Sequence, residues 1–132
     1  MIPVDQTKLY LPGKQSGNCL PAALASILEL SLSNVPAFED VPDRIWFRSI
    51  VSWLRDLGFQ LLAWEQEIHF EGYYIAHGRT VRDTNHSVVY RGGKLAHDPH
   101  PSRAGLAEIT SVWAFLPHDP AVEQWNAAPE KE

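Results

Sequence analysis

The chain contains one cysteine, Cys19, and six histidines: His69, His77, His86, His97, His100 and His118. A lone thiol with a base in reach supports nucleophilic chemistry by a thiolate. Cys19 follows the turn cluster Ser16-Gly17-Asn18 and precedes Leu20-Pro21-Ala22-Ala23, so it falls at the expected start of a helix. Free N–H groups and the positive end of the dipole in a first helical turn favour an anion such as a thiolate. The plain alternative is a small buried apolar residue, the common fate of a free Cys. One cysteine also excludes an intrachain disulfide and a multi-cysteine zinc site.

The base is sought among the histidines. His86 opens the β-like run His-Ser-Val-Val-Tyr, and Asp98 closes the run Leu-Ala-His-Asp, with Gly92-Gly93 between them as a hairpin signal. A three-residue loop, Arg91-Gly92-Gly93, sets His86 opposite Asp98. Directly opposed residues on one face have Cβ atoms ~4.5–5.5 Å apart, which allows a carboxylate to fix the imidazole's tautomer and orientation. A two-residue loop, Gly92-Gly93, turns the two side chains to opposite faces unless a bulge intervenes.

These residues need a scaffold. Residues 1–18 read as irregular, punctuated by Pro3, Pro12 and Gly13. Asn18 is suited to cap the first helix, and Pro21 is tolerated in a first turn. Leu20, Ala23, Leu24, Ile27 and Leu28 recur at helical spacing, and the alanines allow close packing on a sheet. Pro36 and Pro42 mark residues 31–42 as a loop or a short turn of helix. A second helix is expected from Asp43 to Leu57, with Ile45, Trp46, Ile50, Trp53, Leu54 and Leu57 on its apolar face and Gly58 beyond its end. Strands are expected at Phe59–Trp64, Gly72–Ala76, His86–Tyr90, Leu95–His97 and Ile109–Leu116. Helices first and a mostly antiparallel sheet after them make an α+β fold.

The chain has 132 residues, of which 45% are hydrophobic, and this suits one globular domain with a real core. That domain is expected over residues 1–117, with a polar tail over residues 118–132 that frays or forms one loose turn. Lys and Arg number 11 against 16 Asp and Glu, a net charge of −5. The positive charges are scattered, so no nucleic-acid partner is expected. No stretch reaches the ~18 apolar residues of a membrane span, so no membrane partner is expected either. The N-terminus has no basic region followed by an apolar core, and the expected location is the cytoplasm.

Cysteine at a helix start, then His at a strand start, then Asp on the neighbouring strand resembles papain-like cysteine hydrolases. Gly17-Asn18-Cys19-Leu20-Pro21-Ala22-Ala23 is similar to the nucleophile segment of C39-type and related papain-like peptidases. Asn85-His86-Ser87-Val88-Val89 and His97-Asp98-Pro99 are similar to their histidine and aspartate segments, in the same order. The chain also resembles small phage and prophage proteins through Val4-Asp5-Gln6-Thr7, Ser26-Ile27-Leu28-Glu29-Leu30 and His97-Asp98-Pro99-His100-Pro101-Ser102. The residue after Cys19 is Leu20, where C39-type peptidases have Gly. The resemblance implies a papain-like fold, a catalytic triad of Cys19, His86 and Asp98, and a glutamine upstream of the nucleophile that stabilises the oxyanion. Gln6 and Gln15 are the candidates. It also implies a peptide or protein substrate and, for a phage-encoded protein, the host cytoplasm as location. No cofactor and no metal are expected.

Other readings compete for the same residues. His97, Asp98 and His100 are metal-ligand types, but Pro99 and Pro101 extend the segment between them. Trp46 and Trp53, seven apart, fit the core side of a helix, while the all-apolar run Ile45-Trp46-Phe47 leaves one ring for the surface. Trp125 in the tail is a candidate interaction residue. The acidic stretch 65–71 reads as a solvated loop. A papain-like shell that binds a partner without turnover is the alternative function, and it would show Cys19 buried or apart from His86.

Overall fold

The computed structural model describes residues 1–118, so the expectations for Trp125 and for residues 119–132 of the tail lie outside the described residues. The element order is α1 (Cys19–Leu28), two short 3₁₀ turns (Leu32–Asn34 and Phe38–Asp40), α2 (Asp43–Asp56), β1 (Phe59–Trp64), β2 (Tyr73–Arg79), β3 (Asn85–Arg91), β4 (Lys94–His97) and β5 (Glu108–Pro117). The strands form one antiparallel sheet in the order β1-β5-β2-β3-β4. The fold is α+β, with two helices packed on a five-stranded sheet.

Period-two alternation splits the apolar strand residues between two faces. Ile75, Val89 and Trp113 pack with Leu20, Leu24, Phe38, Ile50 and Leu54 of the helical layer. Tyr74, Ala76, Val88 and Val112 face the other way, under Ile68, Phe70 and Leu106. The stretch 65–71 therefore does more than solvate: its glutamates are exposed, while Ile68 and Phe70 cover that second cluster.

Helix α1 is buried over seven consecutive residues, Leu20 to Ser26, which is nearly two turns and so includes every side of the helix. Its alanines let the sheet approach on one side and the N-terminal segment on the other. Ser26 Oγ accepts from Val4 N at 2.9 Å, and Ser26 O accepts from Ile2 N at 3.0 Å. Helix α2 is amphipathic: Ile50 and Leu54 are buried, Trp46 and Trp53 are half-buried, and Phe47 is the exposed ring of its run. Gly58, at φ 92°, follows the end of α2 in the left-handed region that glycine tolerates.

Two local expectations are corrected. Asn18 precedes α1, but its side chain makes no helix-cap hydrogen bond. Instead Asn18 Oδ1 accepts from Thr7 N and Lys8 N at 2.9 and 2.8 Å, and its Nδ2 donates to Thr7 Oγ1. Strand β2 runs three residues past Ala76, to Arg79. The extension pairs with Asn85–Ser87 on one side and with β5 on the other, where a bulge falls between His77 and Gly78. The bulge brings β5 so close that a Cβ on Gly78 would lie 1.7 Å from Glu108 O.

Candidate active site

Cys19 is the first residue of α1, and its backbone N–H is one of the first-turn donors that find no partner inside the helix. The side chain is half-exposed. His86 is the second residue of β3, paired with Gly78 of β2. Cys19 and His86 line the same clefts, and the Cys19 side chain raises the His86 pKa, so the sulfur stands beside the ring. His86 Nε2 lies 2.6 Å from Asp98 Oδ1, which leaves Nδ1 as the nitrogen for the thiol. Both members of the His–Asp pair are buried, at 6% and 2% exposure.

Asp98 is held from several sides. Its Oδ1 also accepts from His100 N at 2.9 Å, and its Oδ2 accepts from Gly105 N at 2.8 Å. Burial alone would raise the Asp98 pKa, but the hydrogen bond from His86 and those two backbone N–H groups outweigh it and lower it to about 2. Burial alone would lower the His86 pKa, but Asp98 and Cys19 outweigh it and raise it to about 9. At neutral pH the arrangement is thus an imidazolium between the Asp98 carboxylate and the Cys19 sulfur.

The hairpin reaches this geometry by its own route. Arg91 pairs with Lys94 around the two-residue loop Gly92-Gly93, whose φ values of 59° and 78° are those of a primed turn. A bulge between Val89 and Tyr90 then shifts the register, so that Val89 pairs with His97. The three-residue loop is not formed; the bulge shifts the register by one residue in the other direction, which returns His86 and Asp98 to one face without making them direct partners.

The segment Val4–Thr7 straps the site. Arg103 binds both Asp5 carboxylate oxygens, at 2.6 and 2.7 Å, and donates to Asp98 O. Val4 O lies 3.0 Å from His97 Nε2, and Gln6 N donates to Pro99 O at 3.1 Å. Gln6 consequently lines a cleft together with Cys19, His86, Tyr10, Arg82 and His100. Its Nε2 donates one proton to Lys8 O at 2.9 Å, and its Oε1 is buried without a partner. Gln15 lies elsewhere: its Nε2 donates to Leu9 O, and it lines a separate depression with Lys8, Lys14 and Asp40.

A second and larger cleft, of about 540 Å³, meets the first at Cys19 and His86. Glu39, Asp43, Trp46, His77, Ser87 and Trp113 line it. His77 lies beneath Trp113, ring centroids 4.3 Å apart, with Nδ1 2.8 Å from Ser87 Oγ. Burial lowers its pKa to about 4, so the ring is neutral at pH 7. From the sequence His77 reads as a surface or partly satisfied histidine, and the second description fits: Nδ1 has Ser87 and Nε2 has no partner. Extending the β-like run Tyr-Tyr-Ile-Ala through His77 would have placed it on the same face as Ile75.

His97 and His100 do not converge on Asp98 as metal ligands would. His97 faces Val4 and Asp5, and His100 Nδ1 faces Ser102 Oγ at 2.8 Å. Among the described residues no group of three or more His, Cys, Asp or Glu is placed to hold a metal ion, and no helix is long and apolar enough to cross a membrane. Comparison with known proteins adds no relative: no family model, no curated protein and no solved structure matches this chain.

Proposed function

We propose that the protein is a papain-like cysteine hydrolase, cleaving an amide, isopeptide or thioester bond or transferring the acyl group. The observation that carries this reading is the buried His86–Asp98 hydrogen bond of 2.6 Å in a cleft that the partly buried Cys19 also lines. The order nucleophile, base, orienting carboxylate is what covalent acyl transfer requires. A partner-binding shell without turnover would be marked by a Cys19 buried or remote from His86, whereas Cys19 is partly exposed and lines both clefts with His86.

In the proposed reaction the Cys19 thiolate attacks the acyl carbonyl carbon. The carbonyl oxygen takes the charge and is held by the Cys19 backbone N–H and by the second amide proton of Gln6, while Gln15 has no part. Such a donor is worth ~2.7–4 kcal/mol in a serine-protease precedent. The His86 imidazolium gives its proton to the leaving amine or thiol, and the acyl-enzyme forms. Neutral His86 then takes a proton from water as its oxygen attacks the acyl carbon, and Cys19 leaves as the thiolate, which restores the thiolate–imidazolium pair. Asp98 keeps the ring oriented through both steps. The similarity of Val4–Thr7 and His97–Ser102 to phage-type proteins supports a host peptide or conjugate as the substrate.

The reading is tested with a panel of fluorogenic peptide, isopeptide and thioester substrates. Cys19→Ala should abolish any turnover the wild type shows, and full activity in that variant would exclude the mechanism.

A further inference from the structure

We propose that the larger cleft beside Cys19 receives a cationic side chain of the substrate, lysine-like or arginine-like. This rests on the hydrolase reading and adds its substrate class. No Lys or Arg lines this cleft, whereas Glu39 and Asp43 both do. Lys8 pairs with Glu39 from outside the cleft, and the His86 ring stands at its inner end, so Asp43 is the carboxylate of this lining with no cationic partner of its own. The smaller cleft, across Cys19, holds Arg82 instead. The two approaches to the thiol therefore differ in charge.

Two unpaired atoms mark the larger cleft as built for a ligand. The Glu39 side chain is only 5% exposed, and its Oε1 has no hydrogen-bond partner. His77 Nε2 is likewise buried without a partner, its other nitrogen being taken by Ser87. The ring is neutral, and in the tautomer whose Nδ1 donates to Ser87 Oγ its Nε2 is an acceptor. Buried acceptors left unpaired are costly, and an ammonium or guanidinium group brings donors for both. An apolar side chain would leave both unsatisfied, and an acidic one would face carboxylates. Trp46 and Trp113, ring centroids 5.7 Å apart, add π faces to the same cleft, which suit a cation.

Cys19 is the only thiol, so charged thiol reagents report on its surroundings directly. The full chain is treated with 2-aminoethyl, 2-sulfonatoethyl and methyl methanethiosulfonate, and modification is followed by intact mass. The cationic-to-anionic rate ratio should exceed that of free cysteine by about tenfold, the combined effect expected of one ion pair and one cation–π contact. Asp43→Asn and Trp46→Leu should each lower the ratio about threefold, whereas Arg82→Gln should not lower it. Glu39→Gln should lower it as well. Asp43 is exposed at the start of α2 and gives a variant free of the Lys8 pairing should the Glu39 change impair folding. A ratio no higher than that of free cysteine overturns the proposal, as does a raised ratio indifferent to Asp43 and Trp46. Failure of the hydrolase reading looks different: the neutral methyl reagent would modify Cys19 at about pH 6 no faster than free cysteine, with His86→Ala making no difference.

Discussion

His86 Nε2 and Asp98 Oδ1 stand 2.6 Å apart although the two residues are not partners in the hairpin ladder. The ladder ends at Val89↔His97, and Asp98 lies one residue past β4. A bulge bends its strand and increases the local twist. Here the bulge between Val89 and Tyr90 changes the offset between β3 and β4. The 98–105 turn then closes on the carboxylate through the N–H groups of His100 and Gly105. The aspartate is thus fixed by backbone as much as by the histidine it orients.

Stability should depend on pH through this pair. The Asp98 pKa is lowered to about 2, so its contribution is present above the ordinary value of 3.8 and is lost as pH falls toward 2. The His86 pKa is raised to about 9, so its contribution is present below 6.5 and is lost as pH rises through 9. The two limbs report largely one interaction, of roughly 2 kcal/mol. Urea unfolding across pH should therefore show a plateau between about pH 4 and 6.5, and Asp98→Asn should flatten both limbs. An unchanged profile in that variant would detach the pair from stability.

Alkylation of Cys19 should depend on His86. The ring is cationic up to about pH 9, and a cation beside a thiol favours the form that reacts. Iodoacetamide labelling at about pH 7 should be several-fold faster in the wild type than in His86→Ala. Equal rates would separate the two residues functionally.

The two glutamines should differ. Gln6→Ala is expected to lower kcat by about 10²–10³-fold on any substrate the protein turns over, since one oxyanion donor is lost. Gln15→Ala should leave kcat within about twofold, because Gln15 caps its own loop by bonding Leu9 O and lines neither cleft at Cys19. A larger loss at Gln15 would reverse the assignment.

Asn18→Ala should loosen the strap without touching the thiol. It removes the acceptor for Thr7 N and Lys8 N, and each orphaned donor costs about 1–3 kcal/mol where water cannot reach it. The check is faster hydrogen exchange at Thr7 and Lys8, together with a lower urea midpoint. Unchanged exchange at both amides would place the strap's anchor elsewhere.

Gly78→Ala should be severely destabilising, beyond the ~1–3 kcal/mol of ordinary overpacking, because the new Cβ meets backbone oxygen that no rotamer can move. Gly72→Ala is the control, with nothing within 4 Å of its Cβ position, and should stay within about 0.5 kcal/mol. Equal urea midpoints for the two variants would mean that β5 can give way at the bulge.

What the sequence determined by itself is local. Helix periodicity and the turn before Cys19 placed the thiol at the first residue of α1, and the Gly92-Gly93 turn announced the β3–β4 hairpin. These depend on contacts a few residues apart, where spacing and backbone preference are readable. Where each side chain went was decided by tertiary structure. The hairpin register was legible only as two alternatives, and a bulge chose the outcome. Asn18 was legible as a helix cap, but the Thr7 and Lys8 amides take its oxygen instead. His77 read as a surface or partly satisfied histidine until β5 and Trp113 enclosed it. Gln6 and Gln15 were both candidates, and only the fold sets Gln6 in a cleft with Cys19 and Gln15 in a separate depression, as Arg103 and Pro99 draw the Val4–Thr7 segment against the Asp98 loop. Each of these outcomes is a competition among groups far apart in the chain, and its balance exists only once the fold has brought them together.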